Sequence, residues 1–88
     1  MEFDWDAANV RHIGRHRVSA AECEQAYSNG PLVIERQKRK SERRRLCLGE
    51  TDAGRRLAFV VTERKGKIRF VTAYPMDAKQ REIYEGER

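Results

Sequence analysis

The sequence has little of what a disulfide-bonded, metal-clustered or membrane-spanning protein requires. It contains only two cysteines, Cys23 and Cys47, which are too far apart for a C-x-x-C metal motif. No apolar stretch approaches the ~20 residues that span a bilayer, and the N-terminal MEFDWD is acidic, unlike a signal peptide. We therefore expect a cytoplasmic protein, in whose reducing surroundings both cysteines are small buried residues.

Linkers and internal repeats are also lacking. The chain has two prolines and six glycines among 88 residues, and no long run of Pro, Gly or Ser divides it. We therefore treat residues 1–88 as one domain. A hydrophobic content of 39% supports one modest core, so we expect any active site to be a shallow cleft at the surface.

Positive charge, by contrast, is abundant and concentrated in one segment. RQKRKSERRR, residues 36–45, carries seven positive charges and one negative, a net of +6, whereas the other seventy-eight residues carry twelve positive and thirteen negative, a net of -1. Such a patch is typical of a polyanion-binding surface, although a solvated loop without a partner has the same composition. The candidate binding residues are Arg36, Lys38, Arg39, Lys40, Arg43, Arg44 and Arg45, with Lys67 further along the chain.

The first predicted helix begins after Asp6, whose carboxylate can accept hydrogen bonds from the unpaired backbone N–H groups of the first turn. Val10 and Ile13 are one turn apart, and we predict that both face the core. Gly14 weakens the helix, which is therefore short. A neighbouring stripe consists of Asn9, His12 and His16.

A second helix is predicted from Ser19 and Glu22, which match the S-x-x-E capping box. Val18 can pack on Cys23 as the hydrophobic staple, and Asn29-Gly30-Pro31 ends the helix. Its buried face should consist of Cys23, Ala26 and Tyr27.

The strands follow. We predict strands over Leu32–Glu35 and Arg43–Leu48, joined by Lys38–Glu42, and a short N-terminal strand over Glu2–Trp5. The segment LAFVVTERKGKIRFVTAY contains two alternating runs around Lys65-Gly66, and a two-residue loop ending in Gly predicts a β-hairpin.

That turn sets the register of the hairpin. It pairs Arg64 with Lys67, Thr62 with Arg69, Val60 with Val71, and Ala58 with Ala73. One face then carries the core residues Leu57, Phe59, Val61, Ile68, Phe70 and Thr72. The opposite face is predicted to be open and shallow, with small residues at one end and the cations Arg64, Lys67 and Arg69 at the other.

The last strand ends at Pro75, after which Asp77 and Gln80 form a second capping box for a helix through about Tyr84. The element order is β-α-α-β-β-β-α. It predicts an α+β fold with a three- to four-stranded, mainly antiparallel sheet, two N-terminal helices and one C-terminal helix, the helices mostly on one side.

The pair His12 and His16 has the H-x-x-x-H spacing at which one helical turn can hold a metal ion. The glutamate of metalloproteases is missing from the intervening residues, and the arginines beside the histidines disfavour a cation. A third ligand would have to be Asp4, Asp6 or Glu22. We therefore expect no metal and no other cofactor. Either histidine can also be a packed or capping side chain.

Taken together, the sequence resembles the BrnT toxin family, small proteins with the fold of the RelE-type ribonucleases. The matching residues are Phe3-x-Trp5-Asp6, His16-x-Val18, the hairpin segments VVTER (60–64) and IRFVTA (68–73), and Tyr84. The resemblance covers nearly the whole chain. It implies a toxin of a type II toxin-antitoxin pair, a metal-independent ribonuclease that halts translation. It also implies a ribbon-helix-helix antitoxin encoded by the neighbouring gene, whose complex with the toxin binds operator DNA.

The sequence departs from the family pattern at three positions. The family usually has an arginine where this chain has Tyr74, a glutamate where it has Gln80, and a lysine where it has Asn9. The alternative function is therefore a catalytically inactive relative that binds nucleic acid or antitoxin and acts in regulation. A third possibility is a basic interaction domain without a toxin role, and the edges of the hairpin also permit a homodimer.

Metal-free cleavage of RNA needs a base for the 2'-OH, an acid for the departing 5'-oxygen, and cationic donors for the phosphate. Histidine suits both proton roles, and arginine suits phosphate. The predicted catalytic residues are His16 and His12 for proton transfer and Arg64 and Arg69 for phosphate binding. Tyr84, or Tyr74 in its place, is predicted to stack on a base or to donate a proton. The basic segment provides affinity for RNA or docks an acidic antitoxin.

Overall fold

The computed structural model of the protein describes residues 1–87, which form three helices and a four-stranded sheet. The strands are antiparallel and lie in the order β1-β2-β3-β4. This confirms the α+β class predicted from the sequence. The elements are α1 (Ala7–Gly14), α2 (Ala20–Ser28), β1 (Leu32–Arg39), β2 (Glu42–Glu50), β3 (Arg56–Arg64), β4 (Lys67–Pro75) and α3 (Ala78–Gly86). Within residues 1–87, no helix has both the length and the apolar composition needed to cross a bilayer.

All three helices begin where the sequence predicts. Asp6 accepts a hydrogen bond from the backbone of the first turn of α1. Ser19 and Glu22 form both hydrogen bonds of the capping box of α2, at 3.1 and 3.0 Å. Asp77 and Gln80 form the equivalent pair at α3, at 2.8 and 3.0 Å. These side chains satisfy backbone N–H groups that have no partner within the helix, so the helix starts are encoded locally.

The β1–β2 hairpin is longer than predicted. Its strands extend through the basic segment and are joined by the two-residue turn Lys40-Ser41, in which both residues have positive φ, 49° and 69°. Turns of this kind match the twist of the strands, but they usually contain Asn or Gly. Charged strands and a turn without glycine carry neither usual sequence signal, which explains why the predicted strands were too short.

The β3–β4 hairpin turns at Lys65-Gly66, as predicted, and its first pairs have the predicted register. A bulge then inserts Val71 as an extra residue, so Val60 pairs with Thr72 instead of Val71. Ala58 likewise pairs with Tyr74 instead of Ala73. The predicted register is therefore wrong beyond the bulge.

This bulge exchanges the faces of the end of β4. Thr72, predicted to lie in the core, shares the opposite face with Val60, while Ala73 is fully buried in the main core. Tyr74 shares the face of Thr72, because alternate residues of a strand point to the same side. A bulge re-aims side chains in this way.

Two cores cover opposite faces of the sheet. The main core joins α1 and α2 to one face, called here the main face, and consists of Ile13, Val18, Cys23, Ala26, Cys47, Leu57, Phe59, Val61, Ile68, Phe70 and Ala73. The smaller core consists of Leu48, Ala58 and Met76, with Ile34, Tyr74, Ile83 and Tyr84 packed against it. Since Leu48 follows Cys47 on the same strand, α3 lies on the other face, called the α3 face. This face is therefore covered at its small-residue end, where the sequence predicted it to be open.

The predicted buried face of α2 is confirmed, since Cys23 and Ala26 are fully buried and Tyr27 packs on the main core. Burial raises the pKa of the Cys23 thiol to about 12 and also raises the pKa of Cys47. Both thiols therefore stay protonated at neutral pH, as expected of structural cysteines rather than nucleophiles.

The N-terminal segment forms one β-bridge rather than a strand. Phe3 pairs in parallel with Ile68 of β4, and hydrogen bonds of 2.8 and 2.9 Å join Asp4 and Glu2 to the backbone of Ile68. The segment thereby covers the outer edge of β4 near the hairpin turn and leads directly into α1.

Gly49→Ala is expected to destabilise the fold. A Cβ there would lie 2.8 Å from the carbonyl oxygen of Ala26 in α2 and 3.2 Å from a ring carbon of Phe59. Because the first of these atoms is backbone, we expect a loss of about 1–3 kcal/mol in the free energy of unfolding. Gly14→Ala is the matched control, since a Cβ there meets nothing within 4 Å and alanine favours a helix by up to about 1 kcal/mol. Equal urea midpoints for the two variants would contradict the close packing of Gly49.

Candidate active site and cationic groove

His12 lies on the side of α1 that faces β4, and His16 lies in the turn directly after the helix rather than on the same helical turn, as the spacing had suggested. Their rings are edge to face, with centroids 5.9 Å apart. Nε2 of His12 is 3.1 Å from the Thr72 hydroxyl oxygen, and the ring of His16 lies 6.1 Å from that of Tyr74. Because the Val71 bulge places Thr72 and Tyr74 on this side, β4 supplies a hydroxyl beside His12 and an aromatic ring beside His16. The structure thus brings both predicted histidines together.

Asn9 holds α1, the helix that carries His12 and leads into the turn with His16. Its side chain is buried, and Nδ2 donates a 2.9 Å hydrogen bond to the Phe70 carbonyl on the edge of β4. Ile13 is 1% exposed on the same helix, whereas Val10 is 44% exposed. The predicted burial of Val10 is therefore wrong, because the stripe that begins at Asn9 faces the sheet and turns Val10 outward.

A hydrogen bond of 3.1 Å joins Nε2 of Gln80 to the hydroxyl of Tyr74. Gln80 is buried at the start of α3, and Tyr74 packs against the smaller core. Two of the positions predicted to depart from the BrnT pattern are therefore in contact with one another. Sequence reasoning identified both positions separately, but only the fold shows the contact.

Arg69 lies on the α3 face opposite Thr62 and is held by two carboxylates. Its guanidinium is 2.9 Å from Asp6 and 3.6 Å from Asp4. The hydrogen bond from the Asn9 backbone, followed by the one from Arg69, lowers the pKa of Asp6 below its usual range. Arg69 therefore ties the N-terminal segment and the cap of α1 to β4, while some of its five N–H donors stay available.

Arg64 is exposed near the hairpin turn, where it pairs with Lys67. Within residues 1–87 no carboxylate lies within ion-pair distance of its guanidinium. By strand alternation Arg64 shares a face with Thr62 and Arg69, as the sequence predicted. Arg64 thus remains accessible to an anion.

Tyr84, predicted as a catalytic residue, packs against the smaller core beneath α3. The guanidinium of Arg56 lies 5.7 Å from the centre of its ring. Tyr84 thus contributes to core packing, and Tyr74 is the tyrosine whose ring lies beside His16.

The basic segment forms a groove of about 830 Å³ at the hairpin end of the sheet. Arg36 pairs across the strands with Arg45, and Lys38 pairs with Arg43. Arg45 shares the main face with its partner Val61, so these four cations lie on the main face, away from Arg69. The groove is lined by Met1, Tyr27, Arg36, Gln37, Lys38, Ser41, Glu42, Arg43, Arg44, Arg45, Thr62, Glu63 and Ile68.

Among residues 1–87, no carboxylate lies within ion-pair distance of the four cations paired across the strands of this groove. Like charges directly opposite one another on a sheet are destabilising, and here two such pairs are adjacent. Arg45 receives support from Tyr27, whose hydroxyl is 3.3 Å from Nη2. Arg44 points to the α3 face, where Glu42 lies 2.8 Å away. The cross-strand pairs therefore form a surface suited to an anionic partner. Arg39 and Lys40, the remaining predicted cations, are exposed at the tip of the hairpin.

The histidine pair is not part of a larger set of metal-ligating side chains. Among residues 1–87 there is no group of three or more His, Cys, Asp or Glu side chains placed to hold a metal ion. The pair His12 and His16 therefore lacks a third ligand of these types in that range.

The geometry defines a small α+β domain with paired histidines beside an arginine-bearing sheet face. The sequence model described as "Ribonuclease toxin, BrnT, of type II toxin-antitoxin system" matches residues 5–80. The chain belongs to this family of ribonuclease toxins, and membership implies an antitoxin partner. A search of curated proteins finds no match.

Arg69→Ala is expected to raise the pKa of Asp6 without restoring its ordinary value, because the hydrogen bond from the Asn9 backbone remains. A carboxyl group whose pKa is lowered by folding stabilises the folded state at pH values above its ordinary pKa. This contribution to stability is lost as the pH falls through the lowered pKa. The variant should therefore lose less stability in acid. NMR titration of the Asp6 carboxyl measures the change, with Arg64→Ala as a control. An Asp6 pKa that Arg69→Ala leaves unchanged would contradict the ion pair.

Proposed function

We propose that this protein is a metal-independent ribonuclease that inhibits translation by cleaving RNA in the cytoplasm, and that a ribbon-helix-helix antitoxin neutralises it. The observation that supports the proposal is the histidine pair. The rings of His12 and His16 lie 5.9 Å apart, beside the hydroxyl of Thr72 and the ring of Tyr74, at a sheet face that also carries Arg64 and Arg69. This combines two imidazoles, side chains suited to proton transfer, with cationic donors.

The proposed reaction is attack of the 2'-oxygen on the adjacent phosphorus. The bond from the 2'-oxygen to phosphorus forms as the bond from phosphorus to the 5'-oxygen breaks. One imidazole accepts the proton of the 2'-OH, and an imidazolium donates a proton to the departing 5'-oxygen. The products are a 2',3'-cyclic phosphate and a 5'-OH. His16 is the more exposed histidine, and His12 is oriented by Thr72.

Arg64 and Arg69 bind phosphate in this proposal. Arg64 has no carboxylate at ion-pair distance within residues 1–87, so a phosphate does not have to displace one. Arg69 is three residues before Thr72 on β4 and is held in place by Asp4 and Asp6. A guanidinium fixed in this way loses less conformational freedom when it binds a phosphate.

The cationic groove is proposed to bind RNA outside the cleaved nucleotide. It lies on the main face, so a bound strand passes around the hairpin tips to reach the histidines. Arg39, Lys40 and Lys67 are exposed along this path. Its contribution is affinity, because phosphate contacts carry no base preference. The same separation from the histidines also fits a docking site for an acidic antitoxin, which is the alternative for this surface.

The purified protein is expected to cleave RNA in excess EDTA. His16→Ala and His12→Ala should each lower the rate by about 10²- to 10⁴-fold, the usual contribution of a general acid or base. Arg11→Ala, an exposed cation of α1, is the matched control and should retain the rate. A 2',3'-cyclic phosphate at the product ends identifies the reaction.

Three other outcomes of this assay are informative. Unchanged cleavage in both histidine variants would contradict the assignment of His12 and His16. Loss of wild-type cleavage in EDTA would indicate a metal enzyme. An absence of cleavage, with no growth arrest on expression, would support the catalytically inactive regulatory relative instead.

The groove is tested by salt dependence. Replacing Arg36, Lys38 and Arg43 with glutamine should weaken RNA binding and reduce the slope of log K against log salt by about 0.7 for each phosphate that the variant no longer neutralises. Lys79→Gln, an exposed cation of α3, is the control. If the triple variant binds RNA normally but has a lower affinity for the antitoxin, the groove is the antitoxin site.

A further inference from the structure

Two hydrogen bonds and burial fix the orientation of the Gln80 amide. Its Oε1 accepts from the backbone N–H of Asp77 at 3.0 Å, and the side chain of Asp77 accepts from the backbone of Gln80 at 2.8 Å. Gln80 is only 9% exposed. Since a backbone N–H can only donate, the amide oxygen has to face Asp77 and the NH₂ group has to face Tyr74. The capping box of α3 thereby resolves the usual ambiguity between amide oxygen and nitrogen.

This orientation determines what the hydroxyl of Tyr74 can do. An amide NH₂ has no acceptor capacity, so the phenolic oxygen accepts the 3.1 Å hydrogen bond from Gln80. The single hydroxyl hydrogen therefore points away from Gln80. Within residues 1–87, this is the one hydrogen bond described for that hydroxyl. Its hydrogen remains available to a bound molecule.

The position of Tyr74 indicates which molecule that is. Its ring lies 6.1 Å from that of His16, and it follows Thr72, the partner of His12, by two residues on the same face. We propose that the Tyr74 hydroxyl donates a hydrogen bond to a non-bridging oxygen of the scissile phosphate, and that Gln80 is the positioning residue that keeps this hydrogen directed at the substrate. The inference rests on the proposed ribonuclease function.

The physical role of this donor is to stabilise charge that develops on the phosphate. A neutral hydroxyl held in place before the reaction stabilises an oxyanion without reorganisation. Such a donor contributes more as negative charge grows, so it affects kcat more than KM. Acceptance of a hydrogen bond from Gln80 also strengthens the hydroxyl as a donor.

The identity of residue 80 provides the critical variant. A glutamate there would still accept the backbone hydrogen bond from Asp77, so the helix start is preserved. However, a carboxylate has no N–H, and it would accept the hydroxyl hydrogen of Tyr74. Gln80→Glu should therefore withdraw the donor from the substrate while it leaves the fold intact.

The experiment measures kcat and KM for RNA cleavage in EDTA with the full chain. Tyr74→Phe and Gln80→Glu are each expected to lower kcat by about 10- to 100-fold with little change in KM, the effect of losing a hydrogen bond to a charged group. The double variant should be no slower than Tyr74→Phe, because without the hydroxyl the introduced carboxylate has no hydrogen to accept. Thermal unfolding of each variant controls for folding.

Each contrary result has a defined meaning. Wild-type kcat in Tyr74→Phe or in Gln80→Glu would overturn the inference while the ribonuclease function stands. The inference would also be overturned if kcat of the double variant fell below that of Tyr74→Phe by the same factor that Gln80→Glu causes alone. The glutamate would then act independently of the hydroxyl. Absence of cleavage by the wild-type protein would refute the proposed function and this inference together.

Discussion

The candidate site depends on one hydrogen bond, from the side-chain amide of Asn9 to the carbonyl of Phe70. The helix α1 has eight residues, too few to be stable alone in water, so its position comes from its contacts with the sheet. Because a polar amide is costly to bury without a partner, Asn9 has to face an acceptor, and the edge of β4 offers one. This orientation places Ile13 in the main core and His12 against Thr72.

Two sets of cations in this protein have different surroundings. On the α3 face, Arg69 and Arg44 have carboxylate partners at 2.9 and 2.8 Å, so they contribute to the arrangement of the folded chain. In the groove, cations lie directly opposite cations, as Arg36 does opposite Arg45. Their mutual repulsion opposes folding. Stability therefore does not explain the placement of these groove cations, which suits the proposed binding of an anionic partner.

Tyr74 and Gln80 form one structural unit. The hydrogen bond between them depends on the α3 capping box, since Asp77 fixes the amide of Gln80. The same tyrosine contributes to the smaller core and lies beside His16. Helix capping, core packing and the candidate site thus meet at one side chain.

The sequence by itself determined the features that depend on neighbouring residues. The capping boxes at Ser19 and Asp77 and the turn at Lys65-Gly66 follow from local hydrogen bonds and backbone preferences, and they were predicted correctly. The α+β class followed from the order of these elements, and the two histidines of the candidate site were recognised from their spacing. Only the tertiary structure decided the Val71 bulge, the outward position of Val10 and the cover that α3 provides. These features result from contacts between residues far apart in the chain, and a local sequence pattern does not predict such contacts.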